Sequence, residues 1–286
     1  MSTTHHFPEL DPATIAATRD ALHAYSLVLG DFPAACRPKR KHWWHISLRP
    51  ALNGMTTDVI RAPGHLEPVD FELELDPTHS LVRARTSNGA ELTEPLHGQP
   101  ASALAETVSN FLTANGLNPS LIPPNPSGAD MSTAGYSSDA AASLAAAWRA
   151  ISTAMETFRA GIPEETSPVQ LWPHHFDLAM MWLPGEKIPG QDPEDEENSD
   201  KQMNFGFTFG DTGISEPYFY ITAYPLPDAF PALPLPAGTA WHSDGFSGAV
   251  LRYQSLVQSA DPQTYLLELW NALLTAGRSH MLTKKT

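Results

Sequence analysis

Two stretches of the chain place apolar residues at helical spacing behind a residue that can cap a helix. Asp11 is followed by Pro12, the residue favoured at the first helical position, and Ser137 opens the second stretch. The apolar stripes that follow are Ile15, Leu22, Tyr25, Leu29 and Phe32 in the first, and Leu144, Trp148, Ile151, Met155 and Phe158 in the second. This spacing predicts two long amphipathic helices.

Other stretches alternate apolar and polar or small residues, as strands with one buried face do. The clearest are VDFELELD (69–76) and MNFGFTFG (203–210), followed by LVRART (81–86) and YFYITAY (218–224). The stretches WWHISLRP (43–50) and PHHFDLAM (173–180) are also predicted as strands. Strands lying between helices in this order predict an α+β protein with antiparallel sheets.

The two halves of the chain resemble each other in the order of their elements. Asp11 matches Ser137 at an offset of 126 residues, and the offsets between later matches increase to 161, where Gly116 matches Gly277. Both glycines are predicted to end a helix. We therefore predict internal duplication of an α-β(4–5)-α unit, with helices on the outside and pseudo-two-fold symmetry; an ordinary α+β domain without repeats is the alternative.

The predicted first repeat is 1–116, a Pro- and Ser-rich linker is 117–136, and the second repeat is 137–286. The second repeat carries an acidic loop, 185–202, and a Pro-rich insertion, 225–238. The two repeats are expected to form one compact unit, with a site at their junction because ligands favour such crevices.

Polar residues on the two matched strands suggest which side chains form that site. Alternation places His175 and Asp177 on one strand face, and His45 and Arg49 on the corresponding face of the first repeat. If these strands face each other, the four side chains form one cluster. Neighbouring candidates for ligand contact are Ser47, Trp44 and His174.

Such a cluster has three interpretations. His45, His175 and Asp177 are ligand types that bind a divalent metal. Alternatively, Asp177 orients His175 as a general base, with His45 as a further catalytic group and Arg49 holding an anionic substrate. The third interpretation is a buried His–Asp pair that stabilises the fold without chemistry.

Composition and motifs limit the classes of partner and cofactor that the sequence predicts. With 17 basic and 32 acidic residues the chain has a net charge of -15, which opposes binding to nucleic acid or anionic membranes. The single cysteine, Cys36, and the absence of a secretory leader predict a cytoplasmic protein. No motif supports NAD, FAD or ATP, so a divalent metal is the remaining cofactor hypothesis. A monomer or weak dimer is expected.

The segments HWWH followed by ISL, FDLA within WPHHFDLAMMW, YFYITAYP, and a closing helix after GAVLRY resemble a bacterial family, domain of unknown function 5996. The resemblance covers nearly the whole chain and implies a bacterial cytosolic setting without a defined activity. The function expected from the residues is binding of a small molecule, with enzymatic action as an extension. The alternative is a non-catalytic protein-interaction module that uses exposed aromatic residues and the Pro-rich segment 225–238.

Overall fold

The first amphipathic stripe forms helix α1 (Pro12–Cys36) in a computed structural model that describes residues 7–282. The Asp11 carboxylate accepts a hydrogen bond from the Ala13 N–H (3.2 Å) and so caps the helix, as predicted. The apolar stripe, Ile15, Leu22, Tyr25, Leu29 and Phe32, is buried. Both predictions for this helix are confirmed.

The remaining elements follow in chain order. The helices are α2 (Ala101–Ala114), α3 (Ser138–Ala160), α4 (Glu196–Ser199), α5 (Tyr253–Val257) and α6 (Pro262–Met281). The strands are β1 (Arg49–Pro50), β2 (Met55–Thr56), β3 (Ile60–Ala62), β4 (Val69–Asp76), β5 (Leu81–Thr86), β6 (Glu91–Pro95), β7 (Glu165–Thr166), β8 (Gln170–Trp172), β9 (Asp177–Leu183), β10 (Gln202–Thr208), β11 (Tyr218–Tyr224), β12 (Thr239–His242) and β13 (Gly248–Arg252). Helices combined with antiparallel strands confirm the predicted α+β class.

The chain divides into two compact units. The N-terminal unit consists of Leu10–Arg149 and Gln170–Phe176, so a short later segment belongs to it. Among the described residues, the C-terminal unit consists of Phe7–Glu9, Ala150–Val169 and Asp177–Leu282. The segment 117–136, predicted as a linker, lies within the N-terminal unit. There Thr133 donates a hydrogen bond to the Gly98 carbonyl and Tyr136 donates one to Ser80, each at 3.0 Å.

The sheet of the N-terminal unit has strand order β1-β2-β4-β5-β6, and β3 also pairs with β4. The alternation in β4 is confirmed, since Phe71, Leu73 and Leu75 are buried. Phe32 of α1 meets Phe71 edge to face, with ring centroids 6.2 Å apart, so this face of the sheet packs against the helix. Aromatic pairs in this geometry contribute beyond the area that they bury.

The other face of β4 carries acidic side chains that pair with arginines of β5. The fully buried Asp76 carboxylate accepts hydrogen bonds from Arg83 (2.6 Å) and from the backbone N–H of His79 (2.9 Å). Further along β4, Glu72 pairs at 2.9 Å with Arg85, the residue directly opposite it on β5. Buried charge is tolerated at Asp76 because cationic and neutral donors surround it.

The sheet of the C-terminal unit has the antiparallel order β12-β13-β11-β10-β9-β7. On one face Phe205 packs against Phe158 of α3 with ring centroids 4.8 Å apart. Phe219 on the same side packs against Trp270 of α6 at 6.1 Å. Phe205 from the predicted alternation in β10 and Phe158 from the predicted stripe of α3 therefore lie in the apolar core of this unit.

Gly277 does not end its helix, contrary to the prediction. It lies inside α6, which continues to Met281, and a Cβ at this position would stand 2.3 Å from the Met203 sulfur. The glycine therefore permits close approach of α6 to β10 rather than a left-handed cap. Gly116 does follow its helix in a left-handed conformation, with φ of +104°.

The two insertions predicted in the second half have local structure. In the Pro-rich segment, Phe230 is buried beside Trp241, whose indole N–H donates to the Leu233 carbonyl (3.1 Å). In the acidic loop, Lys187 and Asp200 form an ion pair of 2.6 Å beside α4. The aromatic side chain of the Pro-rich segment is therefore used in packing.

Candidate functional site

The stretch WWHISLRP forms a loop over most of its length, so the predicted strand is wrong there. Lys41–Trp43 is a 3-10 turn, and only Arg49 and Pro50 lie in a strand. His42 and Trp43 have φ of +47° and +60°, in the left-handed region that non-glycine residues rarely adopt. The Arg37 guanidinium anchors this loop by donating hydrogen bonds to the carbonyls of His45 (3.4 Å), Val59 (3.3 Å) and Thr57.

The stretch PHHFDLAM is likewise divided between a turn and a strand. The N–H groups of His175 and Phe176 donate to the Trp172 carbonyl at 3.2 and 2.7 Å, and Phe176 is left-handed with φ of +53°. Strand β9 begins only at Asp177. The alternation that placed His175 and Asp177 on one strand face is therefore wrong, because His175 lies in a turn of the N-terminal unit and Asp177 opens a strand of the C-terminal unit.

A pair of backbone hydrogen bonds joins the first of these segments to β8. Leu48 and Leu171 exchange N–H to carbonyl bonds of 3.0 and 2.8 Å, in an antiparallel bridge. The bridge places Gln170 beside Ser47 and Arg49. The Gln170 Oε1 atom lies 2.9 Å from Ser47 Oγ and 2.9 Å from Arg49 Nη1. We call Ser47, Arg49 and Gln170 the amide cluster.

The donor groups of Gln170 have no acceptor among the residues that the structure describes. Its side chain is fully buried, and Nε2 makes no hydrogen bond. Arg49 can only donate, so the amide oxygen must face it and the NH2 group must point away. Ser47 Oγ also lies 3.0 Å from the Trp44 carbonyl, and the Trp44 indole nitrogen is a second buried donor without a partner in residues 7–282.

His45 is buried next to this cluster in sequence but has different neighbours. Its Nδ1 atom accepts the Arg40 N–H at 3.3 Å, and its ring stacks on Trp43 with centroids 5.6 Å apart. Burial, and then the nearby cations led by Lys39, lower its pKa, so the ring is neutral with its proton on Nε2. None of its contacts in the described chain involves His174 or His175.

The adjacent histidines instead meet a third histidine, His23 of α1. The rings of His174 and His175 have centroids 4.4 Å apart, and His23 stacks on Phe176 at 5.0 Å. Burial, together with the imidazoles of His175 and His23, lowers the pKa of His174 to about 4. Burial also lowers the pKa of His23. The rings of His174 and His23 are therefore neutral at pH 7, and they form part of an aromatic cluster with His175 and Phe176.

Asp177 has a partner that the sequence did not indicate. The Tyr220 hydroxyl donates a hydrogen bond to Asp177 Oδ2 across β10. The tyrosine ring lies over Gly206, where a Cβ would come within 2.1 Å of Tyr220 Cζ. Burial and the Asp177 carboxylate raise the pKa of Tyr220 well above its ordinary value, so the phenol stays protonated. The glycine in an otherwise aromatic strand was the one available signal for this arrangement.

The described side chains and helices bear on the predicted metal site and on membrane association. Within residues 7–282, no group of three or more His, Cys, Asp or Glu side chains has an arrangement that could hold a metal ion. No helix in the same part of the chain combines the length and apolar character needed to cross a membrane. The metal interpretation thus gains no support from the described side chains.

Comparison with known proteins gives one match. A family model described as a family of unknown function (DUF5996) matches residues 7–281, which confirms the resemblance noted in the sequence. No curated protein and no solved structure matches the chain.

Proposed function

Since the chain belongs to a family of unknown function (DUF5996), which supplies no activity to carry over, we propose from side-chain contacts that the protein binds a small carboxylate at the amide cluster. The site consists of Ser47, Arg49 and Gln170, with Trp44 beside it. The main support for this proposal is the buried Gln170 NH2 group, which has no acceptor within residues 7–282.

The energetic argument rests on the cost of an unsatisfied donor. A buried N–H group without an acceptor costs about 1–3 kcal/mol, so native proteins rarely leave one unsatisfied. Rotating the amide would let NH2 donate to Ser47 Oγ, but it would also place NH2 against the guanidinium of Arg49, so one N–H would still lack an acceptor and Arg49 would lose one. An acceptor from outside the chain relieves this cost, and a ligand oxygen is such an acceptor.

The surrounding groups specify the chemistry of that oxygen. Arg49 contributes positive charge, but its Nε atom lies 3.7 Å from the Asp58 carboxylate, which offsets part of the charge. A monoanion therefore fits better than a phosphate dianion. The Trp44 carbonyl accepts a hydrogen bond from Ser47, and we expect its indole to face a hydrocarbon or aromatic part of the ligand next to the carboxylate.

Gln170→Glu is the sharpest test, because it keeps the oxygen that Ser47 and Arg49 contact and replaces the NH2 donor with a second oxygen. Thermal unfolding and calorimetric titration would be measured with benzoate and phenylacetate as probes and benzyl alcohol as the uncharged comparison. Gln254→Leu, at an exposed position of α5, is the matched control. We expect a carboxylate to stabilise wild type and Gln254→Leu but not Gln170→Glu.

Two outcomes would reject the proposal. One is stabilisation of Gln170→Glu by the same carboxylate to the same extent as wild type. The other is that neither carboxylate stabilises wild type at about 10 mM, which is tenfold above the roughly 1 mM upper end of ordinary KM values.

We also propose, for the origin of the fold, that the two halves descend from one duplicated unit. The strands β2-β4-β5-β6 and β9-β10-β11-β13 follow the same antiparallel order after a long helix and before a later one. Superposition of β4–β6 on β10, β11 and β13 tests this, and strands that do not overlay in the same order and direction would contradict it.

A further inference from the structure

The segment 32–57 is the basic part of an acidic chain. It contains no Asp or Glu but five of the 17 basic residues, Arg37, Lys39, Arg40, Lys41 and Arg49. The rest of the chain therefore carries 17 − 5 = 12 basic residues against all 32 acidic ones. Charge segregated in this way creates a local field that attracts an acidic partner.

The surface of this segment also presents an aromatic ring. Trp43 is 43% exposed, and the Lys39 ammonium lies 4.4 Å from its ring centroid. Arg40 is exposed beside them. We call Lys39, Arg40 and Trp43 the basic face. The cation over the ring orients the lysine and leaves the tryptophan edge open to a partner.

The backbone beneath the basic face is in a costly conformation. Left-handed geometry costs roughly 1–2 kcal/mol for each non-glycine residue, and both His42 and Trp43 adopt it. The conformation is maintained by Arg37, whose guanidinium is held by three backbone carbonyls. A strained loop that presents a large aromatic side chain to solvent is typical of recognition sites.

The chain contains a complementary segment of opposite charge. Residues 190–200 include six acidic residues and no basic one. Asp192, Glu194, Asp195 and Glu197 are exposed. Asp192 and Asp195 accept hydrogen bonds from the loop itself (Glu194 N–H, 3.0 Å; Asn198 Nδ2, 2.8 Å), which orders the backbone that carries the charges.

We infer that the basic face binds the acidic segment 190–200 of a second copy of this chain. A two-fold dimer makes this contact twice, once in each direction, which doubles its free energy. The net charge of -15 opposes association at long range. At about 0.1 M salt the Debye length is roughly 10 Å, so the local complementary charges decide the outcome there.

Sedimentation velocity of the full-length chain tests the inference through two charge reversals. Lys39→Glu with Arg40→Glu makes the basic face acidic. Replacing Asp192, Glu194, Asp195 and Glu197 together with Lys leaves two acidic and four basic residues in 190–200, so the loop becomes basic. Each of these two variants alone is expected to dimerise at least about tenfold more weakly than wild type. An equimolar mixture of the two is expected to form a heterodimer, because both contacts are then between opposite charges.

The matched control replaces Glu67, Glu106, Asp130 and Glu268 with Lys, which changes the net charge as the loop variant does at four exposed positions elsewhere. It should dimerise as wild type does or more tightly. The inference is overturned if wild type remains monomeric up to about 100 μM in 0.1 M salt. It is also overturned if the basic-face variant dimerises like wild type or the mixed variants stay monomeric. None of these results depends on carboxylate binding at the amide cluster.

Discussion

Replacing Gly206 with alanine tests the arrangement of Tyr220 and Asp177 most directly. The new Cβ would stand 2.1 Å from Tyr220 Cζ and 2.3 Å from its hydroxyl oxygen, so the ring must move by more than about 1 Å to reach ordinary contact. That movement breaks the hydrogen bond to the Asp177 carboxylate. The glycine thus fixes the position of the phenol.

The magnitude follows from three contributions. Loss of a hydrogen bond to a charged group costs about 1.5–3 kcal/mol, and overpacking adds about 1–3 kcal/mol. Reduced backbone freedom in the unfolded chain offsets about 0.4–1 kcal/mol of this. The free energy of unfolding should therefore fall by about 2–5 kcal/mol, measured by urea denaturation followed by circular dichroism and tryptophan fluorescence.

Gly161→Ala is the matched control, because its Cβ would meet only the Phe158 carbonyl at an ordinary 3.5 Å. It should be neutral within about 0.5 kcal/mol. In a Tyr220→Ala background, Gly206→Ala should lose most of its cost, since the clashing ring is gone. Equal effects of Gly206→Ala and Gly161→Ala, or an undiminished cost without Tyr220, would refute the reasoning.

Three further perturbations have defined outcomes. Burial lowers the pKa of His174 from its ordinary 6.5 to about 4 in the folded chain. The contribution of His174 to the free energy of unfolding is therefore complete above pH 6.5 and declines as the pH falls toward 4. His174→Gln should make the urea midpoint depend less on pH between 4 and 6.5, and an unchanged dependence would contradict this. Arg37→Lys should cost about 1–3 kcal/mol in chemical denaturation, because an ammonium cannot hold three diverging carbonyls, and unchanged stability would contradict that role. Asp76→Asn keeps an acceptor for Arg83 but loses the negative charge, so the free energy of unfolding should fall by about 1–3 kcal/mol. Because Asp76 is buried, added salt should change the stability difference between variant and wild type only slightly.

Elements decided by local periodicity were predictable from the sequence. The stripe and cap of α1 and the alternation of β4 specify their structures within a few neighbouring residues. Gly277 shows the limit of this approach. Its close approach to Met203 depends on a contact between distant parts of the chain, so the glycine was mistaken for a helix end.

The candidate site was predictable only in part, for a related reason. The apolar alternation in WWHISLRP and PHHFDLAM is compatible with a strand, and no local signal marks the left-handed backbone at Trp43 or Phe176. Ser47 and Arg49 were identified as polar candidates. Gln170 was missed, although a lone amide between Val169 and Leu171 is itself a signal of a buried polar contact.

The hydrogen bonds between Leu48 and Leu171 bear on how the protein is made. During synthesis the N-terminal unit cannot acquire its last segment, Gln170–Phe176, until more than half of the polypeptide has left the ribosome. A fragment truncated at Ser137 would present Ser47 and Arg49 to solvent without the amide that organises them. Expression of the first half alone is therefore a poor route to the binding site, whereas supplying the later residues in trans offers a complementation assay.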